Sequence, residues 1–145
     1  NIPNCAITTD IIVGFPNETE EDFNETLDVV NKCQFDSAFT FIFSPRVGTP
    51  AAKMKDNVDI ETKEKRLQQL NELINYYALE ANKKYLNKTV TVLIEGFSEK
   101  KDGLLFGYTD TMKLVNVKGE EKYIGKIVDV KITETKTWSL DGKIC

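Results

Sequence analysis

The side chains best suited to chemistry are few, and none is a nucleophile set beside a base. Arg46 stands in a loop framed by Pro45, Gly48 and Pro50. A guanidinium held in such a loop suits bidentate capture of a carboxylate or a phosphate, and its plainer role is an ion pair with a neighbouring acid. Gly14 closes an apolar run, where it either lets backbone approach a planar ligand or simply serves a turn. Ile12, two residues earlier, offers an apolar wall to that ligand or is an ordinary buried strand residue. The chain has no His, so the commonest general base and metal ligand is missing. Cys5, Cys33 and Cys145 lie far apart, with no CxxC between them. They read as reduced thiols of a cytoplasmic chain, behaving as small apolar residues. No two of them form a metal-type cluster, so no metal ligand is expected among the 145 residues.

The elements that must position these residues follow from periodicity. Residues 6–13 end in the unbroken run Ile11-Ile12-Val13, which suits a strand covered on both faces. Gly14-Phe15-Pro16-Asn17 breaks it, and Thr19 with Asp22 three residues on predicts a capped helix whose face carries Phe23, Leu27 and Val30. The acidic start, Glu18 to Asp22, is expected to be solvated and favoured by the helix dipole. Residues 38–44, Ala-Phe-Thr-Phe-Ile-Phe-Ser, predict a second buried strand, so the front of the chain is a βαβ unit with a right-handed crossover. A long helix is predicted over 60–85, with Asp59 as cap and Leu67, Leu70, Ile74, Tyr77 and Ala81 as a packing seam. From Lys88 the period becomes two, and strand-like runs at 104–109, 113–117, 127–137 and 138–144 suit a small closed barrel. The boundary falls near 82–87.

Charge separates the same two regions. Residues 1–86 carry 9 Lys+Arg against 14 Asp+Glu, and residues 87–145 carry 10 Lys against 9 Asp+Glu. The weak excess of cations is confined to the C-terminal part, far below that of a generic nucleic-acid domain. No apolar run approaches the ~20 residues of a membrane span, and no secretory signal is present. The chain opens on Asn1 rather than Met, so an upstream start is expected.

Four stretches, in order, resemble the MiaB-type radical S-adenosylmethionine methylthiotransferases: Thr8 to Pro16 with Glu18-Thr19; Phe35 to Phe41; Ser44-Pro45-Arg46 with Gly48 to Ala52; and Lys131-Ile132-Thr133 through Lys136 to Leu140. The fold the resemblance implies is α/β followed by all-β. Residues 1–80 are the C-terminal portion of a radical-SAM (β/α) partial barrel with its connecting helix, and 82–145 are a TRAM domain, a small OB-like β-barrel. It implies a parent that methylthiolates C2 of N6-isopentenyladenosine beside the tRNA anticodon, with S-adenosylmethionine and two 4Fe-4S clusters as cofactors. The six cluster ligands of that family are absent here, so this portion alone is expected to be inactive. By the same resemblance, Asp10, Ile12, Gly14, Phe43, Ser44 and Arg46 line the S-adenosylmethionine site, Phe43 and Ser44 through backbone groups. Tyr108, Lys113 and Lys136 face RNA. Tyr108 stands where relatives usually carry Arg, but can stack on a base; Met112 and Asn17 stand where they carry Asn and Gly. Trp138 is expected in the barrel core. The partner implied is a tRNA anticodon stem-loop, with no membrane and no DNA.

Other readings remain open at this point. A sister enzyme would act on threonylcarbamoyl-adenosine or on a ribosomal-protein aspartate. A non-catalytic RNA-binding module would use only the barrel. A third reading has the partial barrel packing against itself or a second copy, because two parallel strands with an uncovered edge are poorly stable.

Overall fold

The structure, a computed structural model, describes residues 4–98 and 103–145; residues 1–3 of the first expected domain and residues 99–102 of the second lie outside them. Two compact units divide within the long helix: Ile7–Tyr77, and Ala78–Cys145 together with the residues before Ile7.

In the first unit, β1 (Thr8–Val13) and β2 (Ser37–Ile42) pair in parallel, Asp10 opposite Phe39 and Ile12 opposite Phe41. Between them runs α1 (Glu20–Cys33), opened by a full capping box: the Thr19 hydroxyl accepts from the Asp22 amide, and the Asp22 carboxylate accepts from the Thr19 amide. These reciprocal bonds satisfy helix-end donors that would otherwise lack partners. They also hold the Asp22 carboxyl below its ordinary range, the Thr19 backbone bond most of all. The helix α2 (Ile60–Lys83) is capped by Asp59, which accepts from the Thr62 amide at 2.9 Å. Val13, Phe23, Val30, Leu70 and Ile74 form one buried cluster, backed by Ile11, Ala38, Ile42, Leu67 and Tyr77.

That cluster covers one face of the sheet only. The expectation that both strands are buried on both sides is corrected: Ile12 is 55% exposed, Phe39 71% and Phe41 51%. Alternation along the strands sends Ile11 and Val13 to the helices and Asp10 and Ile12 to the opposite face. Apolar residues occupy both faces, which reads as double burial, yet this chain supplies a covering layer for one.

The second unit is a closed barrel of β3 (Thr89–Phe97), β4 (Leu104–Thr109), β5 (Leu114–Lys118), β6 (Ile127–Thr135) and β7 (Leu140–Ile144), in the order β3-β4-β5-β7-β6. β5 and β7 are parallel and every other pair antiparallel. The core is Val92, Ile94, Leu105, Val115, Val117, Val130, Ile132 and Leu140, the inward half of each alternating strand. Bulges at Ile94/Gly96 and Ile132/Glu134 give the bends that closure requires. At Gly107 the walls are so close that a Cβ would sit 2.2 Å from the Leu93 carbonyl oxygen. Closure leaves no unpaired strand edge.

Candidate functional site

Two places gather the residues singled out in the sequence. The first lies at the C-terminal ends of β1 and β2, where ligand sites collect in α/β folds. An open cleft of about 650 Å³ there is lined by Asp10, Ile12, Phe15, Phe41, Phe43, Ser44 and Arg46, among others. Five of the six residues expected at one site thus line one cavity. Its walls are chiefly apolar: Phe15 and Phe43 meet edge to face with centroids 5.0 Å apart, and Ile12 and Phe41 come from the bare sheet face. Asp10 and Arg46 add one charge of each sign. The Phe43 amide donates to the Val13 carbonyl at 2.8 Å, extending the ladder one residue into the rim.

Gly14, the sixth, does not line the cleft. Its φ is +72°, and a Cβ placed on it would lie 2.4 Å from Lys63 Cγ. The glycine is therefore required both by its left-handed backbone and by a side chain packed beneath it. Asn17, φ +72°, makes the second left-handed residue of the same loop, a conformation Asn tolerates.

What holds this loop was not visible in the sequence. The Glu18 carboxylate accepts from the Gly14 amide at 2.8 Å and from Arg66 at 2.6 Å. Arg66 also donates to the Glu18 carbonyl at 3.1 Å. Both side chains of this pair are less than a tenth exposed, so Glu18 is corrected from a solvated helix-start residue to half of a buried ion pair. Lys63, also buried, pairs with Asp56 and lies over the Phe43 ring at 5.6 Å. The Asn57 side chain accepts from the Asn17 amide at 2.8 Å. Thus α2, expected only to pack, carries the cations that fix the cleft's rim. Their separation of 40 and more residues from the loop hid them.

The second place is the outer surface of the barrel. Tyr108 is half-buried on β4 and meets Phe106 edge to face at 6.3 Å; both point outward, alternating with the inward Leu105, Gly107 and Thr109. Lys113 is 8% exposed and follows Met112, whose φ is +58°. Its amide donates to the Thr109 hydroxyl at 3.0 Å, so the turn is tied at its neck. Lys136 forms ion pairs with Asp141 and Glu134, and the bond to Asp141 raises its pKa against the smaller opposing effect of burial.

Trp138 is corrected from a core residue: it is 58% exposed at the tip of the β6–β7 turn. The turn is held from below by Asn82, which is 3% exposed and donates to the carbonyls of Lys136 and Thr137 at 2.7 and 3.1 Å. The Lys136 amide closes the turn on the Ser139 carbonyl at 2.8 Å. An exposed indole on a pinned turn is suited to stacking on a flat ring.

Among the described residues, no group of three or more His, Cys, Asp or Glu is arranged to hold a metal ion, and Cys5, Cys33 and Cys145 are each free and exposed. No helix among them is long and apolar enough to cross a membrane.

Comparison with known proteins adds the following. Residues 83–145 match the family model of the TRAM domain. The chain is 58% identical over 143 residues to the tRNA-2-methylthio-N(6)-dimethylallyladenosine synthase of Bacillus cytotoxicus. Identity to the proteins of the same name from Bacillus subtilis and Halalkalibacterium halodurans is 57%. Each alignment covers 99% of this chain, which spans only 27–28% of the length of these relatives.

Proposed function

We propose that this chain, whose residues 83–145 match the TRAM domain family model and whose length aligns with proteins of that name, is the C-terminal part of a tRNA-2-methylthio-N(6)-dimethylallyladenosine synthase. In the longer protein, residues 1–80 form the end of a radical-SAM partial barrel that builds one wall of the cofactor cavity. Residues 82–145 form the domain that grips a tRNA anticodon stem-loop. The observation that carries this reading is the single cleft joining Asp10, Ile12, Phe43, Ser44 and Arg46.

The chemistry of that cleft fits S-adenosylmethionine. The ligand combines a flat heteroaromatic ring with a zwitterionic tail; the cleft combines apolar aromatic walls with one anion, one cation and rim backbone at Phe43 and Ser44. Arg46 is assigned to the ligand's carboxylate, the geometry a guanidinium suits best. Phe43, Phe15 and Ile12 exclude water from the ring, and the Glu18–Arg66 pair keeps the Gly14 turn in place. When bound, the cofactor supplies the radical and the methyl group. The bare face carrying Ile12, Phe39 and Phe41 supports further strands of the same barrel covering it in the longer protein. A cluster of the 4Fe-4S type does not fit this chain's cysteines, which are exposed and scattered, so both clusters are assigned to other segments and the chain alone is inactive.

On the barrel, Tyr108 and Trp138 supply stacking surfaces worth about 1–3 kcal/mol per base, and Lys136 at the foot of the Trp138 turn supplies charge for phosphate, whereas Lys113, expected to face RNA, is buried. The test is mass spectrometry of tRNA from cells making the full-length protein. Arg46→Ala and the pair Tyr108→Ala/Trp138→Ala should each sharply reduce 2-methylthio-adenosine; full modification in both would refute the reading.

A further inference from the structure

The strand register places three lysines side by side. Lys118 on β5 lies opposite Lys143 on β7, and Lys143 lies opposite Lys131 on β6. All three are exposed and point outward, since their neighbours Val117, Val130 and Ile132 point into the core. Adjacent strands are about 4.8 Å apart, and like charges directly opposite one another destabilise a sheet. Lys143 faces such a neighbour on both sides, an arrangement the barrel's own stability does not favour.

Acids close to this row are already engaged. Glu120 pairs with Lys122 at 2.8 Å, Glu134 pairs with Lys136 at 3.4 Å, and Asp141 accepts from both Lys136 and Asn116. Asp129, two residues before Lys131, accepts from the Thr91 hydroxyl. None of the three lysines has a carboxylate within ion-pair distance among the described residues. Lys118 and Lys143 also border an open trough of about 630 Å³, whose wall includes Asn116, Thr133 and Tyr123 together with the carboxylates of Glu120, Glu134 and Asp141, each of them paired with another lysine.

We propose that Lys118, Lys143 and Lys131 form a second RNA-binding track, which holds the ribose-phosphate backbone across β5, β7 and β6, apart from the Tyr108 and Trp138 surface. The proposal rests on the RNA-binding reading above and adds a location to it. Three cations in a row on rigid strands neutralise successive phosphates as point charges, with little base preference. A bound polyanion relieves the repulsion between the lysines.

The experiment is titration of the chain with labelled tRNA at several salt concentrations, comparing Lys118→Gln/Lys131→Gln/Lys143→Gln with a control that loses as many charges elsewhere, Lys32→Gln/Lys55→Gln/Lys65→Gln. The expected result is a salt slope (log Kobs against log salt) shallower by about 2–3 for the row variant, with roughly tenfold or greater weakening at low salt, and little change for the control. Without RNA, Lys143→Gln should raise Tm. An unchanged slope in the row variant, an equal loss in the control, or a fall in Tm for Lys143→Gln overturns the track while the RNA-binding reading stands. Failure of the unsubstituted chain to bind tRNA even at low salt would overturn that reading itself.

Discussion

The first unit and the barrel solve the same problem of burying apolar strand residues, and they end differently. In the barrel, eight side chains from Val92 to Leu140 form a fully enclosed core and the strands close on one another. In the α/β unit, two strands bury one face on α1 and α2 and leave Ile12, Phe39 and Phe41 in solvent. A closed sheet is self-sufficient, whereas a two-stranded parallel sheet with one bare face is not. The difference teaches which part is completed by its own residues and which is not. It also explains why the candidate cofactor site opens on the bare side, while the candidate RNA surfaces lie on the outside of a finished barrel.

Breaking the buried pair of the first unit should have the largest effect. Arg66→Ala leaves Glu18 buried without its cation, which costs about 3–5 kcal/mol. Hydrogen exchange should show α1, β1 and β2 losing protection while the barrel strands keep theirs. In the barrel, Gly107→Ala pushes a methyl group against the Leu93 carbonyl and should cost about 1–3 kcal/mol in urea denaturation, by overpacking. The bare face offers the reverse case. In the chain alone, Phe39→Ser/Phe41→Ser should change stability by no more than about 0.5 kcal/mol and should reduce self-association in gel filtration. In the full-length protein, if further strands cover that face, the same pair should be strongly destabilising.

The smallest effect is a pH response confined to the start of α1. The Asp22 carboxyl is held below its usual value of 3.8 in the folded chain. Its contribution is therefore complete above that value and is lost as pH falls through the lower, folded one. Amides of the first turn of α1 should lose exchange protection below about pH 4 while barrel amides remain protected.

Much of this was legible in the sequence where the signal is local. The Thr19 and Asp22 spacing announced a capped helix start, which the structure completes as a reciprocal capping box, and the switch to alternation at Lys88 announced the barrel. What escaped notice depended on distance along the chain. Glu18 and Arg66 are 48 residues apart, so nothing in the local pattern marks the glutamate as buried. Trp138 looked like core because large aromatics usually are, yet the turn anchored by Asn82 carries it outward. The lysine row exists only in the register, since Lys118, Lys131 and Lys143 are unremarkable until β5, β7 and β6 lie side by side.

The division of labour between the two regions is tested most directly by measuring S-adenosylmethionine and tRNA affinities in one preparation of the full-length protein, with variants of each site. Phe43→Ala/Arg46→Ala should weaken cofactor binding and leave tRNA affinity intact, and Tyr108→Ala/Trp138→Ala should do the opposite. If the barrel variant lost the cofactor, or the cleft variant lost tRNA while still binding cofactor normally, the assignment of the two sites would be contradicted.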